Sequence, residues 1–200
     1  MEITRKSVLA LLEHWKRFGC ERTNDGADLI GRALHVAPQA WLHQIFPPLN
    51  FAGERKLAAD VSGFASSRAR EVLREFNGCI LFSSNLYLLG RRTSYDRSGS
   101  VHQPWDIYSS NALNQHHEVP SGALVIGGSN CLYHGVTITE TEDRRVEAYD
   151  RVSPYRKLFE WASVDDWLFA EIGRLARLFD DQGRLIAPDE LARFDMGWSH

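Results

Sequence analysis

The chain changes its hydrophobic period at Asn77-Gly78, and that change limits what it can fold into. Before it, Ala69, Val72, Leu73 and Phe76 recur at helical spacing behind a Ser67 cap. Asn-Gly then supplies the left-handed geometry that ends a helix. After it, Cys79-Ile80-Leu81-Phe82 and Leu86-Tyr87-Leu88-Leu89 are short apolar runs around Ser83-Ser84-Asn85, the pattern of two strands and a turn. Strand signals resume over 123–126, 131–138 and 145–149, with Gly127-Gly128-Ser129-Asn130 expected to be a turn. A last helix is expected from Val164, capped by Ser163, with Trp167, Leu168, Ile172, Leu175 and Phe179 on its buried face. Helices, then a run of strands, then a closing helix predict an α+β fold with a central, mostly antiparallel sheet packed by helices.

The first fifty residues read differently. Val8, Leu11, Leu12, Trp15 and Phe18 predict a helix over 4–18 that stops at Gly19. Pro38 stands where a first helical position is expected, and Trp41, Leu42, Ile45 and Phe46 would form one apolar face before Pro47-Pro48 ends the helix. The expected division is therefore an N-terminal helical extension over 1–50, an α+β domain over 51–183 and a C-terminal tail over 184–200. Within the domain, 91–118 is a long polar excursion with Trp105, Ile107 and Tyr108 as its anchor.

Charge narrows the function classes. The 200 residues carry 23 Lys+Arg and 26 Asp+Glu, a net charge of −3. Residues 1–100 hold 14 basic and 10 acidic side chains, and residues 101–200 hold 9 and 16, so the halves stand at +4 and −7. No dense basic stripe exists to follow a nucleic-acid backbone. No apolar run approaches the length of a membrane span, and the N-terminus lacks the pattern of a signal peptide, so the expected location is cytoplasmic. Cys20, Cys79 and Cys131 are odd in number and widely separated, an arrangement that suits a reducing compartment.

Catalytic patterns are weak. His102, His116, His117 and His134 lack the spacing of a metal-ligand set. Cys79 follows a helix C-terminus, whose partial negative charge opposes a thiolate. Gly127-Gly128 belongs to no phosphate-binding motif. No cofactor and no enzyme activity are expected. The strongest lead is acidic: Glu140, Glu142 and Asp143 crowd one hairpin, with Glu147 and Asp150 on the next strand. Such a group either blunts a sheet edge or forms an acidic rim that speeds capture of a basic partner, with Trp105 and Tyr108 as aromatic anchors.

The order of landmarks resembles the SUKH superfamily, which includes yeast Smi/Knr-type cell-wall regulators and bacterial toxin-immunity proteins. The resemblance rests on Leu73-Arg74-Glu75-Phe76-Asn77-Gly78, apolar strands ending Leu88-Leu89-Gly90, Ala123-Leu124-Val125-Ile126-Gly127-Gly128, Arg145-Val146-Glu147-Ala148-Tyr149-Asp150 and Ala162-Ser163-Val164-Asp165-Asp166-Trp167-Leu168. It covers roughly 55–182. Family members usually carry Leu-Pro ahead of the first of these helices, where this chain has Phe64-Ala65-Ser66-Ser67. The resemblance implies a non-enzymatic protein that binds and neutralises a cognate toxin, often a basic nuclease or deaminase domain. The alternatives are a regulatory or scaffolding domain and a hydrolase built on Cys79 with His116 or His134.

Overall fold

The computed structural model describes residues 2–93, 102–113, 120–130, 135–151 and 156–186. Among these residues, nine strands form one sheet in which each pairs antiparallel with the next: β1 (Cys20–Arg22), β2 (Asp28–Arg32), β3 (Trp41–Ile45), β4 (Cys79–Leu81), β5 (Leu86–Leu88), β6 (Leu124–Ser129), β7 (Val136–Glu140), β8 (Val146–Asp150) and β9 (Lys157–Trp161). Among the described residues, four α-helices accompany it: α1 (Arg5–Leu11), α2 (Phe51–Asp60), α3 (Arg68–Glu75) and α4 (Val164–Ala176). The α+β class with an antiparallel sheet is as expected. Among the described residues, no helix is long and apolar enough to cross a membrane.

The N-terminal fifty residues differ from the expected helical extension. Helix α1 opens with a reciprocal cap between Thr4 and Ser7 and gives way at Leu12 to a 3-10 turn over Glu13–Phe18. Residues 41–45 are strand β3, not helix. Its aromatic and β-branched residues suit a pleated surface, and its partners on both sides decide the matter. Ile30 of β2 faces His43, and Gln44 and Ile45 face Ile80 and Cys79 of β4. The sheet thus runs on through the Pro47-Pro48 region. The same end of the chain is tied to α4, because the Asp165 carboxylate accepts the Ile3 N–H at 2.5 Å and also binds Arg68 Nε at 2.8 Å.

Helices α3 and α4 follow their local signals. Ser67 accepts the Arg70 N–H at 3.1 Å, and Ser163 accepts the Asp166 N–H at 3.1 Å. Gly78 turns the chain at φ +82°, where a side chain would press on the backbone of Leu88. One continuous core joins Trp167 and Leu168 of α4, Val72 and Leu73 of α3, and the inner residues of β2 to β8. The C-terminal tail expected from 184 is described only as far as Ile186, which donates its N–H to the Leu178 carbonyl.

Candidate functional site

Register sorts the central strands into two faces. Leu88, Gly127 and Ile138 pair across β5, β6 and β7, and a side chain at Gly127 would meet the Trp167 ring of α4 at 2.7 Å. Tyr87, Gly128 and Thr137 pair in the adjacent row and therefore lie on the opposite face. Gly127-Gly128, expected to be a turn, lies inside β6. A β-bulge between Val125 and Gly127 re-aims the strand there. Gly128 leaves the space above it to the Tyr87 phenol, which a side chain would displace.

That vacancy places the Tyr87 hydroxyl where Arg151, just beyond β8, reaches it. Arg151 Nη2 donates to the phenol oxygen, and its Nε donates to Thr137 Oγ1 at 3.4 Å. The guanidinium also stands 6.0 Å from the Tyr87 ring centroid. Burial pushes the Tyr87 phenol above its ordinary range, and Arg151 opposes that rise. Trp105 closes the other side, with its ring centroid 4.1 Å from that of Tyr87 at a tilt of 59°.

Trp105 belongs to the polar excursion after β5, and hydrogen bonds fix it in place. Its carbonyl accepts the Gly90 N–H at 2.9 Å, and the Gly90 carbonyl accepts the Ile107 N–H at 2.8 Å. Asp106 accepts the Arg92 N–H at 3.0 Å and the Ser109 hydroxyl at 2.7 Å. Asn111 imitates a strand partner: its amide oxygen accepts the Val125 N–H, and its amide nitrogen donates to the Val125 carbonyl, both at 2.8 Å. The result is a cleft of about 390 Å³ walled by Tyr87 and Trp105, with Ser110, Thr137 and Arg151 as its polar lining. Tyr108, expected to anchor the same segment, packs half-buried against the core.

The acidic group takes a form the sequence did not predict. Glu140 is 2% exposed and accepts the backbone N–H groups of Arg68 at 2.5 Å and Ala69 at 3.0 Å, so it caps α3 and stays out of any rim. Glu147, expected on a solvated face, is buried. It accepts the Tyr149 hydroxyl at 2.5 Å and Lys157 Nζ at 3.1 Å, and burial, seconded by this carboxylate, holds the Tyr149 phenol above its usual range. Asp143 is exposed but paired with Arg145, whose guanidinium continues to Glu160 at 2.7 Å. Glu142 is exposed at the tip, and Asp150 is half-buried at the end of β8. The expected acidic rim is largely compensated by its own arginines and lysine.

The catalytic candidates fare as follows. Cys79 is fully buried, and burial pushes its thiol up to about 12, which opposes a thiolate nucleophile. His116, His117, His134 and Cys131 lie outside the described residues. Among the described residues, no three His, Cys, Asp or Glu side chains gather to hold a metal ion. The cleft residues Tyr87, Thr137 and Arg151 had no signal of their own in the sequence. The glycine pair beneath them was the available clue, since glycine inside a strand marks a close approach. Comparisons with protein-family models, with curated proteins and with solved structures find no match for this chain.

Proposed function

We propose that this chain is a non-enzymatic protein-binding domain that neutralises a cognate toxin in the cytoplasm of the producing cell, as its resemblance to SUKH immunity proteins implies. The observation that carries the reading is Trp105. It is 38% exposed, yet the tilted Tyr87 ring packs against it and the backbone pairing at Gly90 holds its main chain. A large aromatic held rigid before binding loses little entropy on contact and is the residue type that dominates interface energetics. Glu142, exposed at the β7–β8 turn, would favour the approach of a basic partner.

The test is calorimetry of the full chain against the toxin-like protein encoded beside it. An equimolar complex that W105A weakens about 10-fold or more supports the reading. Absence of binding to every neighbouring toxin-like product overturns it. A regulatory or scaffolding role is the second reading. It is favoured by Leu34 and Val36, which stand 69% and 60% exposed on the β2–β3 connection and offer an apolar contact away from Trp105.

A further inference from the structure

We propose that the cleft between Tyr87, Trp105 and Arg151 binds a small planar monocarboxylate. Its volume of about 390 Å³ falls within the range of small-molecule sites. The half-buried Arg151 is the one cation among the described lining residues, and it donates hydrogen bonds to the neutral oxygens of Tyr87 and Thr137. Among the described residues, no carboxylate stands within ion-pair distance of it. A guanidinium withdrawn from water and held by neutral groups favours an anion, and its planar fork matches a carboxylate.

The count of charges sets the class. Among the described residues, one guanidinium balances one negative charge, whereas a phosphate group would call for a second cation or a run of backbone amides. The walls set the shape. The partly exposed Trp105 ring, braced by the buried Tyr87, offers an apolar face to a flat body, and at Gly127 the floor is bare backbone, because a side chain there would point to Trp167 on the other face. The Ser110 hydroxyl lines the same cleft as a second donor. The cleft shares Trp105 with the proposed toxin-binding surface, but anion binding at Arg151 does not depend on a toxin partner.

The test titrates benzoate into the full chain at neutral pH and follows the Trp105 indole N–H and the Thr137 amide by NMR. Benzamide, of the same shape without the charge, is run in parallel. Saturable shifts confined to the cleft, with a Kd of about 1 mM or tighter, are expected for benzoate, and binding at least 10-fold weaker for benzamide. R151Q should lose about 10-fold or more in benzoate affinity, and R151K should fall between it and the parent. Equal affinity for benzoate and benzamide in the parent protein overturns the proposal whether or not the variants fold. Shifts that fail to saturate or that avoid the cleft overturn it as well.

Discussion

The carboxylate of Glu140, at the end of β7, lies on the first turn of α3 and accepts the N–H groups of Arg68 and Ala69. It joins two elements far apart in sequence by satisfying helix donors that would otherwise have no partner. Burial pushes the Glu140 carboxyl above its usual range, and the two amides pull it back. The site therefore tolerates a neutral acceptor better than an empty space. E140Q is expected to lose about 1 kcal/mol or less and E140A about 1–3 kcal/mol, measured by urea unfolding. Equal losses would show that a neutral amide does not replace the carboxylate as the acceptor for these two N–H groups.

His43 predicts an acid-sensitive core. The ring is fully buried, with its centroid 5.0 Å from that of Trp15 and 4.6 Å from that of Phe82. Its Nδ1 accepts the Phe82 N–H at 3.4 Å, which assigns the proton to Nε2, and among the described residues Nε2 has no hydrogen-bond partner. Burial pushes this histidine down to about 3, against 6.5 for the free group. The unfolded chain thus takes up a proton before the folded one does. The stability that comes from neutral His43 is complete above pH 6.5 and is lost as pH falls toward 3, at up to about 1.4 kcal/mol per pH unit. H43L should flatten the stability profile between about pH 6 and 5. A profile unchanged by H43L would refute this account.

Glu54 acts at lower pH. Its buried carboxylate binds Arg70 Nε at 2.7 Å and Arg74 Nε at 2.9 Å, tying α2 to α3. The hydrogen bond from Arg74 leads the effects that hold it down at about 2, below the usual 4.5. The stability it provides is present above 4.5 and is lost as pH falls toward 2. Both arginines are substantially solvated, so E54Q should cost about 1–2 kcal/mol at neutral pH and should remove part of the unfolding below 4.5. Acid titrations of the parent and of E54Q, followed by circular dichroism, separate this window from that of His43.

The sequence showed those elements whose signals are local. The Ser67 and Ser163 caps and the apolar stripes behind them sufficed for α3 and α4, and Asn77-Gly78 marked the passage into β4. Strand β3 was missed because Trp41, Leu42, Ile45 and Phe46 satisfy helical spacing equally well. What makes 41–45 a strand is pairing with β2 and β4, and β4 lies more than thirty residues away. Strand β9 went unread because Lys157-Leu158-Phe159-Glu160-Trp161 follows no clean alternation. At the site, Trp105 was legible as an exposed aromatic in a polar stretch. Arg151 was not, since its importance arises from the Tyr87 hydroxyl across the sheet. Glu140 and Glu147 were misjudged because their partners, the α3 amides and Tyr149, are set by tertiary position.

Arg144 gives a prediction at the β7–β8 turn. It is held at φ +66°, a conformation costly for any residue with a side chain, and its one recorded ion pair, to Glu71 at 3.5 Å, is exposed. R144G relieves the backbone and gives up little, so a gain of about 0.5–1 kcal/mol is expected in urea unfolding. A loss of stability would mean that the Glu71 pair outweighs the backbone cost.

Two glycines packed differently should respond in opposite directions. Gly173 lies within α4, and a methyl group there would meet no atom within 4 Å. G173A restricts the unfolded chain and improves helix propensity without a clash, so it should raise stability by about 0.5–1 kcal/mol and the Tm by about 1–4 °C. Gly127 faces the same helix from the sheet, where the added methyl group would stand 2.7 Å from the Trp167 ring, itself fully buried. Neither the ring nor strand β6 can retreat without disturbing the core or the Tyr87 row, so G127A should cost about 1–3 kcal/mol. Because Tyr87 rests on β6 one residue further on, G127A should also shift the Trp105 indole resonance, whereas G173A leaves it in place. A G127A protein as stable as the parent would show that α4 does not clamp the floor of the cleft.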